Sequence, residues 1–154
     1  MKVKLTRALV LFFIAYIIVT ILAAATTEIY SSIYHSPPPA PGMSVLQAPA
    51  FVATVPYHVL IMLIVWPIFA AIYFRKPRQP NPSLQYEETL RLSFTWLIAA
   101  IVVDFVGFVL IKNPYSLTPH EFYVIYQPWI SLIYIAIFIS PFIRLWLSRL
   151  LTKR

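Results

Sequence analysis

Residues 8–26 read ALVLFFIAYIIVTILAAAT, an apolar run without charge, glycine or proline that follows Lys2, Lys4 and Arg7. A bilayer core about 30 Å thick needs roughly 20 such residues wound as a helix. Three further stretches meet that need, at residues 51–74, 93–111 and 124–147, and the segments between them are rich in proline or charge. None shows the period-two alternation of a half-buried strand. The expectation is an all-α integral membrane protein, a four-helix bundle forming a single transmembrane domain over residues 1–154.

Composition leads to the same place. The chain is 60% hydrophobic and only 11% charged, with a mean hydropathy of +0.79. A soluble domain of this size must be polar over most of its surface, so the excess apolar surface has to face lipid. Zero cysteines remove disulfides, thiolate nucleophiles and cysteine-held zinc or iron–sulfur clusters. Gly42 and Gly107 are too far apart to build a phosphate-cradling loop or a dinucleotide fingerprint. No Gly-x-Ser-x-Gly elbow and no intramembrane zinc-protease signature occurs. No catalytic residue, metal or cofactor is therefore assigned, and a non-enzyme is expected.

Positive charge sets the orientation, because cytoplasmic loops keep Lys and Arg during insertion. Lys2, Lys4 and Arg7 precede the first span, Arg75, Lys76, Arg78 and Arg91 lie between the second and third, and Arg144, Arg149, Lys153 and Arg154 close the chain. Only Lys112 falls on the other side. The pattern predicts both termini in the cytoplasm of a multi-pass protein in a cell membrane, and the compact chain suits a prokaryote. The formal charge of +7 is then a topology signal and an attraction to anionic headgroups, with no solvated basic domain to bind nucleic acid. The first run also has the outline of a signal peptide, with Ala23 and Ala25 in cleavage-site spacing. It is long for a signal core, which favours an uncleaved anchor.

The outer connection, from about Glu28 to Ala50, contains Pro37-Pro38-Pro39-Ala40-Pro41-Gly42 and reads as a stiff spacer across the top of the bundle. The inner one, Lys76 to Pro82, reads as a rigid turn after which Ser83 caps a helix carrying Glu87 and Glu88 in its first turns. Both carboxylates precede Arg91 at ion-pairing distance along a helix. A weak repeat aligns Arg7 with Arg91, Pro56 with Pro128 and Pro67 with Pro141, as in two parallel helical hairpins, and sets Thr20 opposite Asp104. Pro67 and Pro141 are helix-hinge candidates. Tyr30, Tyr34, Tyr57, Tyr115, Tyr123, Tyr126 and Trp129 on one side, and Tyr73, Phe74 and Trp146 on the other, fit interfacial belts.

Asp104 is the residue that asks for an explanation, since an intramembrane acid costs about 2.5–3.5 kcal/mol on insertion scales. Seven residues separate it from Ile111, and seven separate His58 from Phe51. At 1.5 Å per residue both lie about 10 Å below the outer interface, so an Asp104–His58 pair for proton or ion handling is geometrically allowed. The plainer alternative is a carboxyl bonded to Tyr, Thr or backbone that pins helices together. Glu28, His35, His120 and Glu121 are further polar candidates on the outer side. Their spacing is not that of a metal site, and His58 alone does not make a bis-histidine haem site. Thr20, Thr95 and Ser140 are expected to back-bond to their own helices. Ala99, Ala100 and Gly107 make the third span a candidate contact face for a partner.

With so little mass outside the bilayer, the leading expectation is a non-catalytic accessory or structural subunit of a larger transport or electron-transfer complex. Its partners would be lipid and either other membrane subunits or further copies of the chain. One alternative is a homo-oligomeric small transporter or channel using Asp104 and His58. The other is a membrane-embedded enzyme acting on lipid or quinone through converging outer His and Glu residues.

Overall fold

The sequence builds its core by interleaving small and large side chains at helical spacing. Ala8, Phe12, Ala15 and Val19 on one helix meet Trp66, Ala70 and Tyr73 on the next and Leu92, Trp96 and Ala100 on a third, all buried. Alanine opposite an indole lets backbones approach and fills the gap between them. The computed structural model describes residues 4–75 and 82–152. Lys2, Lys76, Arg78, Lys153, Arg154 and the turn proposed for Lys76-Pro77-Arg78-Gln79-Pro80-Asn81 lie outside the described residues.

Four long helices dominate: α1 (Leu5–Tyr34), α2 (Pro49–Tyr73), α3 (Pro82–Asp104) and α4 (Trp129–Thr152). All four are long and apolar enough to cross a membrane. No strand occurs among the described residues. In ring order α1 packs on α2, α2 on α4, α4 on α3, and α3 returns to α1 along the thinnest seam. The two hairpins expected from the repeat therefore lie side by side. Between α1 and α3 the bonded residues are 88 positions apart, in Trp96 to Ala8 and in Tyr16 to Asp104. The sequence repeat has an offset of 84, so the residue set against Asp104 is Tyr16, one helical turn before the expected Thr20.

Several span ends differ from expectation. The first helix runs past Thr26 to Tyr34, because Thr26 and Thr27 return their hydroxyls to Leu22 O and Ala23 O and no breaker arrives before Pro37. Its end is made by His35, in the left-handed region at φ 49°, whose N–H returns to Ser31 O. Glu28 is thus helical and not part of the connection. The third helix begins at Pro82, so Ser83 is inside the first turn and is not the residue before it. The fourth begins at Trp129 and not Val124, since Glu121–Ile125 form a separate π turn and Pro128 stands between. The Arg91–Glu87 ion pair forms as expected, on an exposed face.

The connections are satisfied by their own side chains. Pro41-Gly42 occupy the centre of a tight turn closed by Met43 N–H to Ala40 O at 2.9 Å, with Gly42 at φ 85°. Ser44 and Gln47 form a reciprocal capping box on the short 3-10 turn Val45–Gln47. That turn is stitched to the 111–120 connection by Val45 N–H to Pro114 O at 2.9 Å, and to the π turn that follows by Gln47 Nε2 to Glu121 at 3.2 Å. We call this the loop end of the bundle. At the opposite, terminal end, Lys4 N–H donates to the Tyr73 hydroxyl and Arg7 to Ile72 O at 2.7 Å. Arg7 also lies over the Tyr73 ring and Arg144 over the Phe74 ring, at 5.8 and 4.7 Å. Tyr73 is accordingly a core residue and not a belt residue.

Two of the three small residues expected to bind a partner are used inside the chain. Ala100 is fully buried in the core and Ala99 packs against it, whereas a Cβ at Gly107 would meet nothing within 4 Å. Outward faces carry large apolar side chains, among them Ile21, Ile64, Ile98 and Ile135, each more than half exposed.

Candidate functional site

Above the aromatic core the helices part. Phe12, Trp66 and Trp96, all fully buried, pack in a row of tilted rings with centroids 5.4 and 5.3 Å apart. The indole N–H of Trp96 is fixed to Ala8 O at 2.9 Å. Toward the loop end, the space between the four helices opens into a cavity of about 290 Å³. Its floor is Trp66, Met62 and Ile137, and its roof Val45, Leu46 and Tyr115. From Tyr16 to Glu28 the α1 wall rises about 18 Å. Thr20, Ala24 and Glu28 line the cavity and are also exposed, so it reaches the molecular surface along α1 on the side of the thin α1–α3 seam.

Asp104 is 6% exposed and faces this space from α3. The Tyr16 hydroxyl donates to its Oδ1 at 2.5 Å. The Tyr134 hydroxyl on α4 lies within electrostatic reach of the same carboxyl and makes no hydrogen bond of good geometry. The acid thus ties α3 to α1 at the lower edge of the slot. Immediately after it, α3 changes to a π-helical turn over Phe105–Leu110, closed by Ile111 N–H to Val106 O at 3.0 Å. Such turns concentrate at functional sites. Asn113 supports this one by donating from Nδ2 to Gly107 O at 2.8 Å.

His58 faces the same cavity from α2, at 3% exposure. Its Nε2 lies 3.3 Å from the Thr27 hydroxyl, which also meets the Thr54 hydroxyl at 2.9 Å. The Phe51 ring packs edge-on against the imidazole, with centroids 5.1 Å apart. The expected Asp104–His58 pair does not form: each is held by α1, through Tyr16 and Thr27. Equal depth placed the two residues in one cavity without turning their side chains toward each other.

The other polar candidates separate. Glu28 is at the mouth. His35 ends α1 and is exposed, and His120 is exposed on the far connection. Glu121 accepts from the Thr118 N–H at 2.8 Å, from the Thr118 hydroxyl at 2.7 Å and from Gln47, so it is a capping and stitching residue. The Thr118 N–H, with its hydroxyl and Gln47, holds the Glu121 carboxyl below the usual carboxylate range. Among the described residues, no three His, Asp or Glu side chains converge, which leaves the enzyme reading without its expected constellation.

The hinge candidates are both buried inside helices. Pro141 deprives the Ile137 carbonyl of its helical partner, and Ser140 donates to that carbonyl at 2.8 Å. Thr20 and Thr95 back-bond in the same manner, to Tyr16 O and Arg91 O, each at 2.8 Å. The residues that sequence reasoning missed are Tyr16, Thr27, Trp66 and Tyr126, all of which line the cavity. The Trp66 indole N–H is buried there without a partner. Comparison with protein-family models, with curated proteins and with solved structures finds no match.

Proposed function

We propose that the chain is a small integral membrane protein whose loop-end cavity is an outward-facing vestibule for a small solute, with Asp104 handling the proton or positive charge involved. The termini lie in the cytoplasm on this reading, and the loop end faces outward, as the distribution of Lys and Arg requires. One observation carries it: a 290 Å³ cavity, open along α1 beneath the connections and closed toward the terminal end by Phe12, Trp66 and Trp96, that contains the intramembrane acid. An ionisable group at that depth is costly unless it is used or satisfied. A single chain encloses the vestibule, so oligomerisation is not needed to form it.

Reconstitution tests the proposal. Vesicles containing the protein carry proton- or cation-coupled flux, read with an internal pH-sensitive dye, and Asp104→Asn abolishes it while leaving assembly unchanged. Absence of flux in the parent removes the transporter reading.

The Tyr16–Asp104 bond favours a second reading, in which the acid only locks α1 to α3 and the chain is an accessory subunit of a larger membrane complex. Native mass determination after mild-detergent purification separates the two. Stoichiometric foreign subunits support the accessory role, and a clean monomer or homo-oligomer speaks against it.

A further inference from the structure

The vestibule has a chemical character beyond its shape. Its acidic groups are Asp104 in the wall and Glu28 at the mouth, its one histidine is His58, which meets the Thr27 hydroxyl, and among the described lining residues none is Lys or Arg. Phe51, Phe108, Phe122, Tyr126 and Trp66 supply aromatic surface around them. Phe122 stacks with both Phe108 and Tyr126, with centroids 5.8 and 6.3 Å apart. Aromatic faces attract cations, most strongly where water is excluded, and a carboxyl on the same wall adds to that attraction. Such a lining disfavours an anion.

A divalent inorganic ion does not suit the space. A bare divalent cation needs six to eight oxygens at about 2.0–2.6 Å. Here Tyr16, Thr20, Thr27, Glu28 and Asp104 are spread along about 18 Å of rise, and no three acids or histidines converge. The volume is instead close to the lower end of small-molecule pockets, about 300 Å³. The exposed row Thr20, Ala24 and Glu28 gives a solute a path along α1 that does not cross the connections.

On the vestibule reading, we infer that the site takes a hydrophobic organic monocation of the substituted-ammonium class, its charge beside Asp104 and its hydrocarbon body against the Phe51, Phe108 and Phe122 rings. The test uses two probes of matched shape, benzyltrimethylammonium and its neutral carbon isostere neopentylbenzene, in equilibrium binding to the purified full chain in lipid nanodiscs. The ammonium is expected to bind about 10- to 100-fold more tightly than the isostere. Asp104→Asn is expected to remove most of that preference while retaining isostere binding, which also reports that the variant is folded. Should Asp104→Asn fail to fold, Ala24→Trp serves in its place: it narrows the slot away from the carboxyl and slows ammonium association at least about tenfold, as a hindered path to an interior site requires.

Equal binding of the two probes overturns the charge selection and leaves the vestibule standing as a neutral-solute site. Binding of neither overturns the vestibule as well. An unaltered preference in Asp104→Asn, or unaltered ammonium association in Ala24→Trp, places the cation elsewhere and overturns the inference.

Discussion

Replacing Tyr16 by Phe removes one oxygen and one interhelical bond, the donation to Asp104 Oδ1 at 2.5 Å. The ring keeps its contact with Phe12, 5.7 Å between centroids, so the change is close to a pure loss of the donor. Interhelical hydrogen bonds within membranes average about 0.6 kcal/mol and reach about 1.7. A carboxylate acceptor roughly doubles the strength of a bond. Counted the other way, as the desolvation cost of a buried oxygen left without its donor, the same bond comes to about 1–3 kcal/mol. Tyr16→Phe is therefore expected to destabilise the bundle by about 1.5–3 kcal/mol, or roughly 10- to 150-fold in the folded-to-unfolded ratio. In an Asp104→Asn background the same substitution removes only a neutral bond and costs about 0.6 kcal/mol. The difference is a coupling of about 1–2 kcal/mol, measurable by a double-mutant cycle. Equilibrium unfolding in mixed micelles, followed by fluorescence from the buried Trp66 and Trp96, supplies the four free energies. A cost below about 0.5 kcal/mol, the scatter of additive mutations, or an equal cost in both backgrounds refutes the assignment of Tyr16 as the partner of Asp104.

Three other outcomes follow from particular contacts. Ser140→Ala strips the hydroxyl from the Ile137 carbonyl that Pro141 leaves free, and lowers unfolding stability by about 1 kcal/mol. In a Pro141→Ala background, where the helix satisfies that carbonyl itself, the loss disappears; persistence there refutes the pairing. The Glu121 clasp contributes stability that is full above its ordinary value of 4.5 and is lost as the pH falls through the lower folded value. Amide exchange at Val45 and Thr118 should accordingly stay slow at pH 5 and accelerate only at more acidic pH, and acceleration already at pH 6 contradicts it. Trp96→Phe removes the donor to Ala8 O and destabilises by about 0.5–1.5 kcal/mol beyond the lost ring area. The check is comparison with Trp96→Leu, which must not be the more stable of the two.

The number of helices was legible because an apolar run of membrane-spanning length has few other uses. Their ends were not, since hydropathy falls at Thr26 while the backbone finds no reason to stop before Pro37. Depth could be counted along each helix, and Asp104 and His58 do line one cavity. Azimuth could not, because the apolar sides of these helices are nearly uniform around the axis and leave no stripe to show which way a polar residue turns. Tyr16 was visible as a hydroxyl in the middle of an apolar run, and a buried phenol usually finds a partner. The repeat pointed instead to Thr20, one turn away, because parallel helices in contact need not sit at the offset of their sequence alignment. Nothing in the composition of Phe105–Leu110 announced a π turn, which depends on how Asn113 folds back onto Gly107 O. The Ser140 bond to Ile137 O was legible, since a serine next to a helical proline is placed to reach the freed carbonyl.

The most direct test of the vestibule uses the absence of native cysteines. Single cysteines at Ala24, in the slot, at Ile137, on the cavity floor, and at Ala8, in the buried core, are exposed in intact cells to a small membrane-impermeant thiol reagent. The account predicts labelling from outside at Ala24 and, more slowly, at Ile137, with none at Ala8. Labelling of Ala24 only after the cytoplasmic face is opened reverses the orientation, and protection of both Ala24 and Ile137 from either side contradicts an open vestibule.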